Sequence, residues 1–102
     1  MKKSEFTVRL LRLAEEDLTD IVSYIAADRP SAADAMLTKI ETNLFLLCSH
    51  PHLGRVPDDV RLLRMGYRFL VVDNYLIFYT IEEKIILVHR ILHGARDYLP
   101  LL

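Results

Sequence analysis

Tyr67-Arg68-Phe69-Leu70-Val71-Val72, then Asp73-Asn74, then Tyr75-Leu76-Ile77-Phe78-Tyr79-Thr80-Ile81, then Glu82-Glu83-Lys84, then Ile85-Ile86-Leu87-Val88-His89-Arg90-Ile91-Leu92, form one continuous passage. Three runs rich in β-branched and aromatic residues alternate with two short polar breaks. Such side chains fit a pleated, half-buried surface, and Asp-Asn is a turn pair. The passage predicts a meander of strands, with β character from Arg61 onward. The runs are apolar at both odd and even positions, so both sheet faces need cover.

Working back towards the N-terminus, the period changes. Ala33, Leu37, Ile40, Leu44, Leu47 and Cys48 recur at helical spacing, and so do Ala14, Leu18, Ile21 and Ile25. Asp28-Arg29-Pro30-Ser31 separates the two stripes. Proline is excluded from helix interiors but accepted in a first turn. Ser31 and Asp34 have the spacing of a capping box. Glu15, Glu16 and Asp17 read as acids at a helix start, where the dipole favours them. Two helices joined this closely form an antiparallel hairpin. Phe6-Thr7-Val8-Arg9-Leu10 alternates as a short strand. The expected class is α+β: an N-terminal strand, a two-helix hairpin, and a small antiparallel sheet of three to four further strands. The hairpin covers one sheet face, and what covers the other bears on function.

The chain has 102 residues, which suits one domain. No apolar stretch approaches the roughly 20 residues of a membrane span, and no apolar run follows Met1-Lys2-Lys3 to make a secretory leader. One cysteine forms no internal disulfide, which fits a reducing cytoplasm. Net charge is -1, unlike the basic balance of a protein that coats nucleic acid, so strong direct nucleic-acid binding is not expected. Residues 1–50 carry six Lys/Arg against eight Asp/Glu, and residues 51–102 carry seven against six. An acidic partner therefore belongs on the C-terminal half.

Cys48 lies among leucines and reads as a small buried hydrophobe. His50 and His52 read as loop histidines. His89 and His93 lie on one strand, on the same face but about 13 Å apart at strand spacing, too far to share a metal. No metal or cofactor is expected. Asp58-Asp59 reads as a solvated turn. Arginine supplies nine of the thirteen positive charges and makes planar, multidentate contacts with carboxylates and phosphates. Arg68 and Arg90 sit inside apolar strands, where a charge needs a partner. Either they pair with a carboxylate such as Asp73 or Asp97, or they line an anion site on the sheet, closed by Arg96 and Tyr98.

Tyr24-Ile25-Ala26, Arg29-Pro30-Ser31-Ala32-Ala33, His50-Pro51-His52-Leu53-Gly54-Arg55, the strand from Tyr67, and Ile91-Leu92-His93-Gly94-Ala95-Arg96-Asp97-Tyr98 follow in that order. With them the sequence resembles the RelE/ParE superfamily of toxins from type II toxin–antitoxin modules. The resemblance implies a helix hairpin packed on a small antiparallel sheet. It also implies a cognate antitoxin, small and of the ribbon-helix-helix, ParD-like kind. Its RelE-like branch cleaves messenger RNA in the ribosome; its ParE-like branch poisons DNA gyrase and has no known hydrolytic centre. Cleavage at a 2′-hydroxyl needs proton transfer and positive charge at the phosphate, which Arg68, Arg90, His93 and Tyr98 could supply. The loop from His50 to Val60 lacks lysine and carries Asp58-Asp59, which repels an RNA backbone. That favours the gyrase branch, with no catalytic residue. Antitoxin segments are then expected along the hairpin and the sheet, their carboxylates meeting Arg64, Arg68, Arg90 and Arg96. A non-toxic member that only binds antitoxin is the third reading.

Overall fold

The computed structural model describes residues 5–102. Strand β1 (Thr7–Leu10) leads into helices α1 (Arg12–Ala26) and α2 (Pro30–Leu47), then a short helix α3 (Val60–Arg64). Strands β2 (Arg68–Val72), β3 (Tyr75–Glu82) and β4 (Ile85–His93) follow, and a 3-10 turn spans Leu99–Leu101. The sheet order is β1-β4-β3-β2. The meander is antiparallel, and β1 joins β4 in parallel, so the sheet is mixed. Among the described residues, no helix is long and apolar enough to cross a membrane.

The hairpin forms as its periodicity requires. Ala14 and Ile40 have no exposed surface, and Leu18 and Ile21 pack beside them. These residues meet Leu70, Val72, Ile77, Tyr79, Ile86, Val88 and Ile91 on one sheet face. Each such side chain contributes about 1.5–3 kcal/mol by leaving water. The start of α2 differs from the expected capping box. Arg29 is the N-cap without a side-chain cap bond, Pro30 opens the first turn, and Ser31 is already helical. Proline lacks an N–H, so one of the orphan donors is absent. Helix α1 begins at Arg12, so Asp17 lies in its second turn and is not a helix-start acid.

The other sheet face carries a second core of Leu62, Tyr67, Phe78 and Leu92. Phe69, Leu76, Tyr98, Leu99, Leu101 and Leu102 pack against it. The chain therefore covers this face itself, with α3 and its own C-terminal segment. Helix α3 replaces the β structure expected from Arg61. Its cap explains it: the Asp59 carboxylate accepts from the Arg61 and Leu62 N–H groups at 2.9 and 3.1 Å. Asp59 is thus an N-cap and not a solvated turn residue. Gly66, at φ 83°, turns the chain out of the helix into β2.

Strand β4 is bulged. Val88 pairs with Tyr79 and Arg90 with Phe78, which leaves His89 without an opposite residue. An extra residue switches the alternation of everything after it. Val88 and Ile91 therefore both face the hairpin, while His89 faces Tyr67 and Thr80 on the other side. His89 and His93 lie on opposite faces, not on the one face that an unbroken strand predicts.

Candidate functional site

The C-terminal half builds its site around a clamped loop. Tyr79, with no exposed surface, donates its hydroxyl to the Pro51 carbonyl at 2.8 Å and accepts from the Gly54 N–H at 2.9 Å. Burial pushes this phenol up from its usual pKa, against smaller downward pulls from the Gly54 N–H and Arg68, so it stays neutral and can donate. Arg68 donates to the Gly54 carbonyl at 3.0 Å. Arg55 and Phe69 then exchange two backbone bonds of 2.8 and 2.9 Å. These contacts press residues 51–55 onto β2 and β3, and Arg55 lines a cleft on the face that carries the second core.

That cleft, of about 560 Å³, lies between residues 55–59 and 96–99. Its floor is Leu62, Phe69 and Phe78, and its rim is Arg55, Asp58, Asp59, Arg96, Asp97 and Tyr98. Phe69 and Tyr98 flank Phe78, with ring centroids 5.8 and 5.0 Å away. An aromatic floor under charged groups suits a planar ligand with a polar edge. Of the rim residues, Arg96 and Tyr98 are legible in the sequence as site candidates and Asp97 only as a partner for a strand arginine; that Arg55 joins them is not legible, because only the fold brings loop and C-terminus together.

Arg90 is occupied within the chain. Its guanidinium binds both Asp17 carboxylate oxygens, at 2.8 and 2.9 Å, and donates to the Leu101 carbonyl at 3.2 Å. The two side chains are 14% and 12% exposed. The Asp17 carboxylate holds the Arg90 pKa above its usual value, against the opposing effect of burial. β1 ends opposite Val88, so β4 beyond that point has an open edge, and Asp17 accepts the Ile91 N–H there at 3.0 Å. The charge in the strand is thus paired as the simpler sequence reading requires, but with Asp17 and not with Asp73 or Asp97. Asp73 takes Lys39, at 3.0 Å. Arg68 shares the hairpin face with Leu70 and Val72, because strand alternation puts residues 68, 70 and 72 together. Arg90 sits at the opposite edge strand of the meander, so the two arginines do not line one anion site. Arg64 is exposed at the end of α3.

His93 is apart from the cleft. It lines a small depression with Asp17, Asp20 and Tyr75, and its Nδ1 accepts the Ala95 N–H at 3.0 Å. Cys48 is partly exposed at the end of α2. It lines a groove with Phe6, Val8, Leu10, Leu44 and Phe45 between α2 and β1, in place of the fully buried position read from its leucine neighbours. Among the described residues, no three His, Cys, Asp or Glu side chains cluster so as to hold a metal ion.

His89 is half-buried, with the Tyr67 hydroxyl 3.3 Å from Nδ1 and Thr80 Oγ1 2.9 Å from Nε2. Burial pushes its pKa down, against a smaller upward pull from Glu82. The unfolded chain then binds this proton more readily than the folded one. Stability is expected to fall as pH drops through about 6.5, the unfolded value. Urea midpoints at about pH 7.5 and 5.5 measure the effect, and the slope should flatten in His89→Gln. The Asp59 cap behaves likewise at lower pH. The Leu62 N–H holds its carboxyl below the usual range, so the cap's contribution is full above the unfolded value of about 4, declines below it, and is lost as pH falls through the lower folded value.

Residues 8–98 match the family described as the ParE toxin of the type II toxin-antitoxin system, parDE. The chain belongs to the ParE toxin family. Toxin RelE2 of Caulobacter vibrioides is 34% identical over 80 residues, which span 78% of this chain and 85% of that protein. A chain of a chromosomal ParDE TA system from P. aeruginosa has the same fold, with a TM-score of 0.72 at 19% identity, over 89% of this chain and 98% of that one. A chain of the toxin–antitoxin complex RelBE2 from Mycobacterium tuberculosis aligns with a TM-score of 0.62 at 19% identity, over 87% and 98%. This ParE-family chain is therefore the toxin of a type II toxin–antitoxin module, of the ParE/RelE kind.

Proposed function

We propose that this toxin poisons DNA gyrase, works in the cytoplasm, and is held inactive by a cognate antitoxin. One observation carries the choice of target: the four residues that could cut RNA do not converge. Tyr98 lines the cleft, and Arg68, Arg90 and His93 do not. Arg90 spends its charge on Asp17. The cleft itself sets Asp58, Asp59 and Asp97 against Arg55 and Arg96. A phosphate in that setting meets more negative than positive charge, whereas phosphodiester cleavage needs a surplus of positive charge at the phosphate. Poisoning a protein target needs a surface and no such centre. The match to the ParE toxin family supports the same reading.

The antitoxin reading is supported by the groove between α2 and β1. Phe45 is 75% exposed there. Thr7 and Leu11 donate towards β4, so the alternate residues Val8 and Leu10 turn their backbone groups outward from the sheet edge. An apolar, partly extended segment of a ribbon-helix-helix, ParD-like antitoxin would fit. Arg64 and Arg96 are the exposed arginines of the four expected to meet its carboxylates. Arg68 and Arg90 act first within the fold.

The test is parallel assay of the purified chain on gyrase supercoiling and on ribosome-programmed messenger RNA. Lost supercoiling or stabilised cleaved DNA, with intact RNA, is the expected result. Cut RNA with normal supercoiling would overturn it in favour of the endonuclease. Neither effect would leave a member that only binds antitoxin.

A further inference from the structure

His93 ends β4 and begins the turn that leads to Arg96, Asp97 and Tyr98, one wall of the cleft. Three hydrogen bonds hold this turn. The Gly94 N–H donates to the Asn74 carbonyl at 2.8 Å, and the Arg96 N–H to the His93 carbonyl at 3.0 Å. The third differs in kind: the Ala95 N–H donates to Nδ1 of the His93 ring at 3.0 Å. A backbone N–H only donates, so Nδ1 is unprotonated here and the ring proton sits on Nε2. A charged imidazolium carries a proton on both nitrogens and has no acceptor to offer. This bond therefore exists only with a neutral ring, and histidine is the side chain that ordinarily changes charge between about pH 5 and 8.

The surroundings give the charged ring a new partner. His93 shares its depression with Asp17 and Asp20 of α1, Tyr75 of β3 and Arg96 of the turn. The Tyr75 and His93 rings meet edge to face, with centroids 5.4 Å apart. Asp17 already binds Arg90 and the Ile91 N–H. Asp20 lies outside that pair and is the carboxylate left to attract an imidazolium. Arg96 carries a like charge, so protonation also pushes the turn away from the ring.

We infer that His93 is a pH-operated latch on the cleft wall: neutral, it holds the turn, and protonated, it swings to Asp20 and releases residues 95–97. The inference does not depend on which target the toxin attacks. It is separate from the effect of His89, which lies on the opposite sheet face and acts on global stability. His93 is exposed, so the change is local. Gly94 stays fixed on Asn74 and Tyr98 stays packed on Phe78. Between these two points the Ala95 N–H passes to water, and the wall at Arg96 and Asp97 loosens.

The experiment measures amide hydrogen exchange of the full chain at about pH 7.5 and 5.5, on either side of the ordinary histidine titration. Each rate is divided by its intrinsic value, and the His93 ring is followed by NMR in the same samples. Ala95 protection is expected to fall by about tenfold at the lower pH, the scale of one hydrogen bond. The fall should track the His93 ring, while Gly94 keeps its protection. His93→Asn supplies an acceptor oxygen that does not titrate and reaches the N–H two residues on, so it should protect Ala95 at both pH values. His93→Ala should protect it at neither. Ala95 protection that is absent at the higher pH, unchanged at the lower one, or lost equally in His93→Asn would overturn the inference. A fall that disappears in His89→Gln would assign the change to His89, and also overturns it.

Discussion

Asp17→Ala is expected to destabilise the fold by about 3–5 kcal/mol, the usual cost of breaking a buried pair by removing one partner. The loss is threefold. Arg90 keeps a charge that is only 14% exposed and loses its directly bonded counter-ion. The Ile91 N–H loses its acceptor at the open edge of β4. The C-terminal segment, tied to Arg90 through the Leu101 carbonyl, loses a fixed anchor. For a domain of this size total stability is about 5–15 kcal/mol, so the melting temperature should drop by about 12 °C or more. Asp17→Ala/Arg90→Met should recover a good part of the loss, because it removes the stranded charge and keeps apolar volume. A single variant within about 1 kcal/mol of the wild type in urea unfolding would refute the structural role of the pair.

Gly54→Ala is expected to cost about 1–3 kcal/mol, by overpacking. A β-carbon there would lie 2.7 Å from the Tyr79 hydroxyl, 2.8 Å from its ring and 2.9 Å from the Phe69 carbonyl. Tyr79 has no exposed surface, and the Phe69 carbonyl accepts the Arg55 N–H. Neither neighbour can yield cheaply. The substitution should therefore lift residues 51–55 off the sheet and distort the wall of the cleft at Arg55. Tyr79→Phe alone leaves the Gly54 N–H and the Pro51 carbonyl without their partner, at about 1–2 kcal/mol. The pair should be less than additive, since removing the hydroxyl relieves the nearest contact. Strict additivity in urea unfolding would mean that the clash is not the cause.

The sequence by itself determined the elements whose information is local. The stripes of α1 and α2 repeat at helical spacing over many residues, and the three runs of the meander carry β-branched and aromatic side chains between short polar breaks. The ordered motifs from Tyr24 to Tyr98 also placed the chain in its superfamily. Helix α3 escaped because five residues are too few for a period. Its signal was present in the capping carboxylate of Asp59 and in Gly66 just past the last turn, but it is brief beside the β-like run that follows.

Only the tertiary structure decided the rest. An arginine in an apolar strand announces that it needs a carboxylate, but not which one. Asp17 is 73 residues from Arg90 in sequence, and the edge left open where β1 stops brings them together. The bulge at His89 is a matter of register between two strands, invisible in either one, and it moves every later side chain of β4 to the other face. The cover of the second sheet face, the meeting of Arg55 with Arg96 and Tyr98, and the separation of Arg68 from Arg90 all follow from how the chain closes on itself. Local periodicity specifies which residues turn inward. Which of them meet is fixed by long-range packing, where each group takes the partner that the fold delivers.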